Sequence, residues 1–284
     1  MKGPFRAKAK YARLVAATDG SKLSGLALVG AANLARRMDA ELFVFHAVGD
    51  MASQEAVAYQ VTQLLADVPY KLEARNLIAG TPMSPSRLIA EFAESVGESL
   101  VVVGTHGRSG LTAALLGSTT AELVSRPGHA TMIYGPHAEA PTEIERIAVC
   151  VDGSEFSELC LDEAAMFSLA LGVPLRIVQV VPPNLPAYVT VFEGAYVLNL
   201  SKELESLGSM AVESDVLHST SPARAILDSV GKNPATMLVM ATHGRLGFKR
   251  LRLGSVALEV VRGARGPIAL ICPTEASQID PVAS

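Results

Sequence analysis

Arg13-Leu14-Val15-Ala16-Ala17-Thr18-Asp19-Gly20-Ser21 is answered later in the chain by Arg146-Ile147-Ala148-Val149-Cys150-Val151-Asp152-Gly153-Ser154. Each stretch opens on arginine, runs through small or apolar residues, and breaks at Asp-Gly-Ser. Ser24 and Ser157 extend both breaks to Asp-Gly-Ser-x-x-Ser. A short apolar run bounded by turn residues has the form of a buried strand, and the residues after it have the form of a turn into a helix.

Working outward from this pair, the rest of the chain repeats as well. Ser84-Pro85-x-Arg87-x-Ile89 recurs as Ser221-Pro222-x-Arg224-x-Ile226. Gly104-Thr105-His106-Gly107-Arg108-Ser109-Gly110 recurs as Ala241-Thr242-His243-Gly244-Arg245-Leu246-Gly247, and Gly117-Ser118 as Gly254-Ser255. These later matches share one offset. It exceeds the first by four residues, so the second copy carries a net four-residue insertion between Ser154 and Ser221. Several motifs in one register mark an internal duplication.

Each copy alternates strands and helices. In the first, strands are expected at Leu14–Thr18, Leu42–Val48, Lys71–Ile78, Leu100–Val103 and Ala130–Tyr134. Helices are expected over Leu23–Met38 and Gln54–Asp67, from Ser84 and Pro85 toward Val96, and from Ser118 onward. Strands of the second copy fall at Ile147–Val151, Arg176–Val181, Met210–Leu217, Met237–Met240 and Ile268–Cys272. This alternation implies parallel strands with helices on both faces of the sheet. Gly135–Glu145, rich in Pro, His and Glu, is the expected linker. The domains are accordingly expected at 1–138 and 144–276. Val181–Leu200 has no clear counterpart in the first copy; it fits an irregular loop leading into a helix, or a lid or oligomer contact.

Composition bounds the function. Hydrophobic residues make up 49% of the 284 and charged residues 18%, enough for two cores and against disorder. A net charge of −4 argues against nucleic acid as the main partner, although helix ends still attract small anions. Cys150, Cys160 and Cys272 form no CxxC pair and suit buried thiols of a reducing compartment. The basic stretch Met1–Ala12 lacks an apolar core segment and a cleavage pattern. No run approaches the roughly 18 apolar residues of a membrane span. The expected setting is cytoplasmic, with no membrane contact.

Ligands of open parallel sheets bind beyond the carboxyl ends of the strands, and the repeated motifs fall there. Glycine lets the backbone approach a ligand closely, which Gly104, Gly107 and Gly110 could supply. A helix N-terminus offers unpaired N–H groups and about half a positive charge. Gly117-Ser118-Thr119 and Gly254-Ser255-Val256 stand at such starts, so the pattern is that of a phosphate cradle. The plainer alternative is that the glycines terminate elements and the serines cap helices. Asp19 could orient a ribose or base or help hold a cation, or form an Asx-turn with Ser21. His106 and His243 in their Thr-His-Gly loops are weak evidence for acid–base work, and Arg108 and Arg245 are as readily solvated charges.

On these residues the chain resembles a tandem universal stress protein of the ATP-binding type. The family signature G-x-x-G, nine residues, then G-[S/T], is complete at Gly104, Gly107 and Gly117-Ser118. The second copy keeps the spacing from Gly244 to Gly254-Ser255 but begins on Ala241. The resemblance implies two α/β, Rossmann-like (adenine nucleotide α-hydrolase-like) domains, each a five-stranded parallel sheet of order 3-2-1-4-5. It implies ATP or a related adenine nucleotide, with Mg2+ in some members. Adenine would lie by Asp19 with Ala47 and by Asp152 with Val180. Ribose and phosphates would follow Gly104, Gly107, Gly117, Ser118 and Thr119, or Ala241, Gly244, Gly254, Ser255 and Val256. The two halves would pair through their last strands as an intramolecular pseudo-dimer, with room for a further homo-oligomer.

The implied function is regulatory nucleotide binding in the stress response, with little or no catalysis. No G-x-x-x-x-G-K-[ST] motif, metal-ligand cluster or nucleophile–base pair is visible. The alternatives are a slow ATPase and a nucleotide-free interaction module. The latter branch usually lacks the glycine signature, which the first copy retains.

Overall fold

A computed structural model of the chain describes residues 11–48, 51–76, 84–105, 116–126, 130–140, 143–242 and 253–272. The first half runs β1 (Arg13–Thr18), α1 (Lys22–Met38), β2 (Glu41–Val48), α2 (Met51–Leu64), β3 (Lys71–Asn76), α3 (Pro85–Ser95), β4 (Leu100–Gly104), α4 (Ser118–Val124) and β5 (Ala130–Tyr134). The second runs β6 (Arg146–Val151), α5 (Glu155–Leu171), β7 (Leu175–Val181), α6 (Ala187–Glu205), β8 (Val212–His218), α7 (Pro222–Ile226), β9 (Thr236–Ala241), α8 (Ser255–Gly263) and β10 (Ile268–Ile271). A π-helical turn, Leu227–Gly231, continues α7.

Local chemistry sets these boundaries. Ser21 and Ser154 cap α1 and α5 by accepting from the amides of Ser24 and Ser157. Ser84 caps α3 from the Arg87 amide, with Pro85 in its first turn. The αL residues Asp39 (φ 53°) and Gly172 (φ 65°) end α1 and α5. β1, β4 and β9 sit in mid-sheet and are buried on both faces, so they are continuous apolar runs rather than alternating ones.

The ten strands among the described residues form one sheet of order β3-β2-β1-β4-β5-β10-β9-β6-β7-β8. Each half therefore has the expected 3-2-1-4-5 order, and the halves meet through their last strands. Every neighbouring pair is parallel except β5–β10, which is antiparallel with Met132 opposite Ala269. Because strand direction reverses at that seam, the carboxyl ends of the two sets face opposite rims of the sheet.

Side chains reinforce the seam. Tyr11 packs on Phe167 of the other half, ring centroids 6.2 Å apart, and its hydroxyl pairs with the Glu163 carboxylate. Burial and that carboxylate push the Tyr11 hydroxyl well above its ordinary pKa. At the end of α1, Arg37 donates from Nη1 to the Ile144 carbonyl (2.5 Å) and from Nη2 to that of Leu171 (2.6 Å).

The expected linker is less loose than its composition implies. Ile144 is buried, Ala138 and Ala140 pack on the core, and Glu139 binds Arg265 through its amide and its carboxylate. The expected β3 overruns the observed Asn76 end onto residues 77–78, which lie outside the described ones. β8 begins at Val212 rather than Met210. All three cysteines are buried free thiols. Among the described residues, no helix is long and apolar enough to cross a membrane.

Candidate functional site

At the carboxyl end of β1 the chain makes a tight turn whose hydrogen bonds are nearly all internal. Ser21 N donates to Asp19 Oδ1 (3.0 Å), an Asx-turn, and Gly20 adopts φ 79°. Gly20 N donates to Thr18 Oγ1 (3.1 Å), and Ser24 Oγ returns to the Ser21 carbonyl (3.0 Å). The second half repeats this with Ser154 N on Asp152 Oδ1 (3.0 Å), Ser157 Oγ on the Ser154 carbonyl (2.9 Å) and Gly153 at φ 78°. Asp-Gly-Ser-x-x-Ser is thus a strand-to-helix corner with one aspartate oxygen committed to the turn.

Beside each corner ends the second strand of that half. The register Thr18↔His46 sets Ala47 next to Asp19, and Val151↔Gln179 sets Val180 next to Asp152. His46 is buried, with Nδ1 2.9 Å from the Thr18 carbonyl. A carbonyl only accepts, so Nδ1 carries the proton; Nε2 is buried with no partner among the described residues. Gln179 occupies the same place in the second half and donates from Nε2 to Glu193 Oε2 (2.6 Å).

The glycine loops leave from β4 and β9. Thr105 N binds the Tyr134 carbonyl (3.0 Å), and Gly117 N returns to the Thr105 carbonyl (2.8 Å), closing the base of the loop. Thr242 and Gly254 repeat the closure, Gly254 N to Thr242 O at 2.8 Å. Thr120 Oγ1 ties α4 to the Gly104 carbonyl (2.9 Å). Gly107, Gly110, Gly244, His106, His243, Arg108 and Arg245 lie outside the described residues. Gly104 has a packing reason of its own: a Cβ there would meet Leu23 Cγ at 3.0 Å and the Leu23 carbonyl carbon at 3.2 Å.

The helix starts above these closures differ from the serine-capped ones. The N-caps of α4 and α8 are Gly117 and Gly254, neither with a side-chain cap hydrogen bond. Ser118 and Ser255 are therefore the first helical residues, exposed, and not caps. Helical bonding begins with Ala121 N to Gly117 O (2.8 Å) and Leu258 N to Gly254 O (2.9 Å). The amides of Ser118, Thr119 and Thr120, and of Ser255, Val256 and Ala257, precede that ladder, which is the arrangement an anion can use.

The two sites differ in charge. Tyr196 of α6 donates to Glu158 Oε1 (3.0 Å) beside the second corner. Burial, then Glu158, Asp152 and Glu193, push its hydroxyl above the ordinary tyrosine range. Gly25 stands in the first half where Glu158 stands in the second. Among the described residues no group of three or more His, Cys, Asp or Glu could hold a metal ion.

Sequence reasoning gave no role to Thr105, Thr242, Glu193 or Tyr196. The recurrence of Thr-His-Gly marked the two threonines; nothing local marked Glu193 and Tyr196, which reach the site from α6.

Comparison with known proteins agrees with this architecture. The model of the Universal stress protein family matches residues 10–133 and 143–271. A universal stress protein of Mycolicibacterium smegmatis is 28% identical over 200 residues, 67% of this chain and 66% of that protein. One of Mycobacterium tuberculosis strain H37Rv is 29% identical over 210 residues, 70% of this chain and 68% of that protein. The chain thus spans about two thirds of the length of these relatives. The crystal structure of a universal stress protein from Archaeoglobus fulgidus shares the fold, with TM-score 0.65 at 19% identity over 93% of this chain and 97% of that one.

Proposed function

This chain belongs to the universal stress protein family, and on that footing we propose that it is an adenine-nucleotide-binding regulatory protein of the cytoplasmic stress response, with little or no intrinsic catalysis. The ligand class is ATP. The phosphates sit on the starts of α4 and α8, held by Gly107, Gly117, Ser118 and Thr119 with Gly104 below, and by Gly244, Gly254, Ser255 and Val256 with Ala241 below. Adenine lies toward Asp19 with Ala47, and toward Asp152 with Val180. Domains 1–138 and 144–276 each contribute one site.

One observation carries this reading: only glycine caps these two helix starts, at the carboxyl ends of the strands, with exposed serines first in line. The amides and about half a positive charge suit a polyphosphate. Mg2+ fits as an ion carried in by the phosphates, since no carboxylate cluster is described there. The sequence has no G-x-x-x-x-G-K-[ST] motif, and among the described residues no nucleophile–base pair accompanies the site, which favours binding over turnover.

Calorimetric titration with Mg·ATP tests the proposal. Gly117 has φ −57°, which any residue adopts, so Gly117→Val should fold and lose binding at the first site. Unchanged affinity in the folded variant would reject the cradle. Phosphate release at about 1 per second or faster would replace the regulatory reading with an enzymatic one.

A further inference from the structure

α6 faces solvent with an apolar stripe that nothing covers among the described residues. Val197, Leu200 and Leu204 are buried against the sheet. On the opposite side Tyr188 is 66% exposed, Val191 71%, Phe192 71% and Leu198 50%. Ala195 lies on the centre line of this stripe and is exposed. Beside it, a Cβ on Gly194 would meet nothing within 4 Å. From Ala187 to Ser201 the helix has a single charged residue, Glu193, and that carboxylate is turned toward Gln179. The counterpart α2 exposes a mixed face with Glu55, Tyr59, Thr62 and Gln63.

The stripe is complementary to itself. When two α6 helices cross antiparallel at Ala195, positions equally far before and after that residue face each other. Phe192 then meets Leu198 of the second copy, Val191 meets Asn199, and Tyr188 meets Lys202, whose ammonium can sit over the ring. Lys202 is the first charge on this face, and it falls opposite an aromatic ring rather than a like charge. The small residues at the crossing let the backbones approach.

We propose that this face of α6 joins two copies of the chain in a closed twofold dimer. Among the described residues each chain carries one such stripe, so an isologous contact uses it up and stops at two. The four exposed side chains offer roughly 500 Å2, below the about 800 Å2 per partner of a stable complex but at the upper end of patches on ordinary monomers. The dimer is therefore reversible and concentration-dependent.

Sedimentation velocity on the full chain reads this directly. Dimer should predominate at about 100 μM and dissociate on dilution toward 1 μM, and Phe192→Glu should be monomeric throughout with an unchanged circular dichroism spectrum. Ala195→Cys provides a second readout, because the three native thiols are buried. Mild oxidation should link Ala195→Cys chains across the twofold axis, whereas Tyr59→Cys on α2 should remain unlinked. A monomer at 100 μM would overturn the proposal, as would a dimer indifferent to Phe192→Glu or equal cross-linking by both cysteine variants.

Discussion

The methyl that separates Ala241 from Gly104 is aimed at a helix. Position 104 lies against Leu23, and the corresponding neighbour in the second half is Phe156, so each copy has its own fit between strand end and helix start. Gly104→Ala should cost on the order of 1 kcal/mol in stability, since Leu23 must give by a few tenths of an ångström. Its nucleotide affinity should stay within a few-fold of the parent's, measured by thermal unfolding and titration of the same sample. At the other end of the chain, Tyr11→Phe removes the hydroxyl that pairs with the buried Glu163. The expected loss is about 1–3 kcal/mol in denaturant unfolding. Cys150 adds a pH dependence, because burial pushes its thiol from 9.0 up to about 12. The folded pKa is the higher one, so this contribution is fully present below about pH 9 and is lost as pH rises toward 12. Folded protein at pH 8 should accordingly leave Cys150 unmodified by a thiol reagent until denaturant is added.

At the scale of elements, paired positions explain where the two copies diverge. A Cβ on Gly30 would lie 1.9 Å from Tyr134 Oη, so α1 can pass β5 only because residue 30 is glycine. The second half has Glu163 and Ile271 at these two places. Gly30→Ala should destabilise by about 1–3 kcal/mol, and adding Tyr134→Ile should restore part of the loss in thermal melts. Such pairs were hidden in the sequence, whereas the strands were not: runs such as Leu100–Val103 are buried on both faces and bounded by turn residues. Ser84-Pro85 likewise announced its helix. α6 was the hard case, since apolar residues on both faces erase the periodicity that marks a surface helix. The Asp-Gly-Ser corner was legible as a turn; the glycine caps at Gly117 and Gly254 came through spacing alone, and the plainer alternative, in which Ser118 caps the helix, fails because the cap is the residue before it.

Over the whole molecule, duplication places two candidate sites of unequal character. The second adds Glu158, Glu193 and Tyr196 around its aspartate, and carboxylates oppose a polyphosphate. Mg·ATP should therefore titrate in two classes, the weaker one strengthening as Mg2+ is raised. Gly117→Val should delete the tighter class and Gly254→Val the weaker, which calorimetry resolves. The sheet also ends safely: its outer strands bear Lys71, Glu73 and Arg75 on one edge and Glu213 and Asp215 on the other.

The antiparallel seam between β5 and β10 has a consequence for dilution and for reach. Halves joined by a short covalent tether meet at an effective concentration in the millimolar range, so the pair holds together at any abundance of the protein in a cell. The two nucleotide seats proposed above, at opposite rims of the sheet, would then form a fixed back-to-back fixture. A docking protein that senses one seat leaves the other open to a second docking protein, and a single chain can hold the two apart at the width of its own sheet.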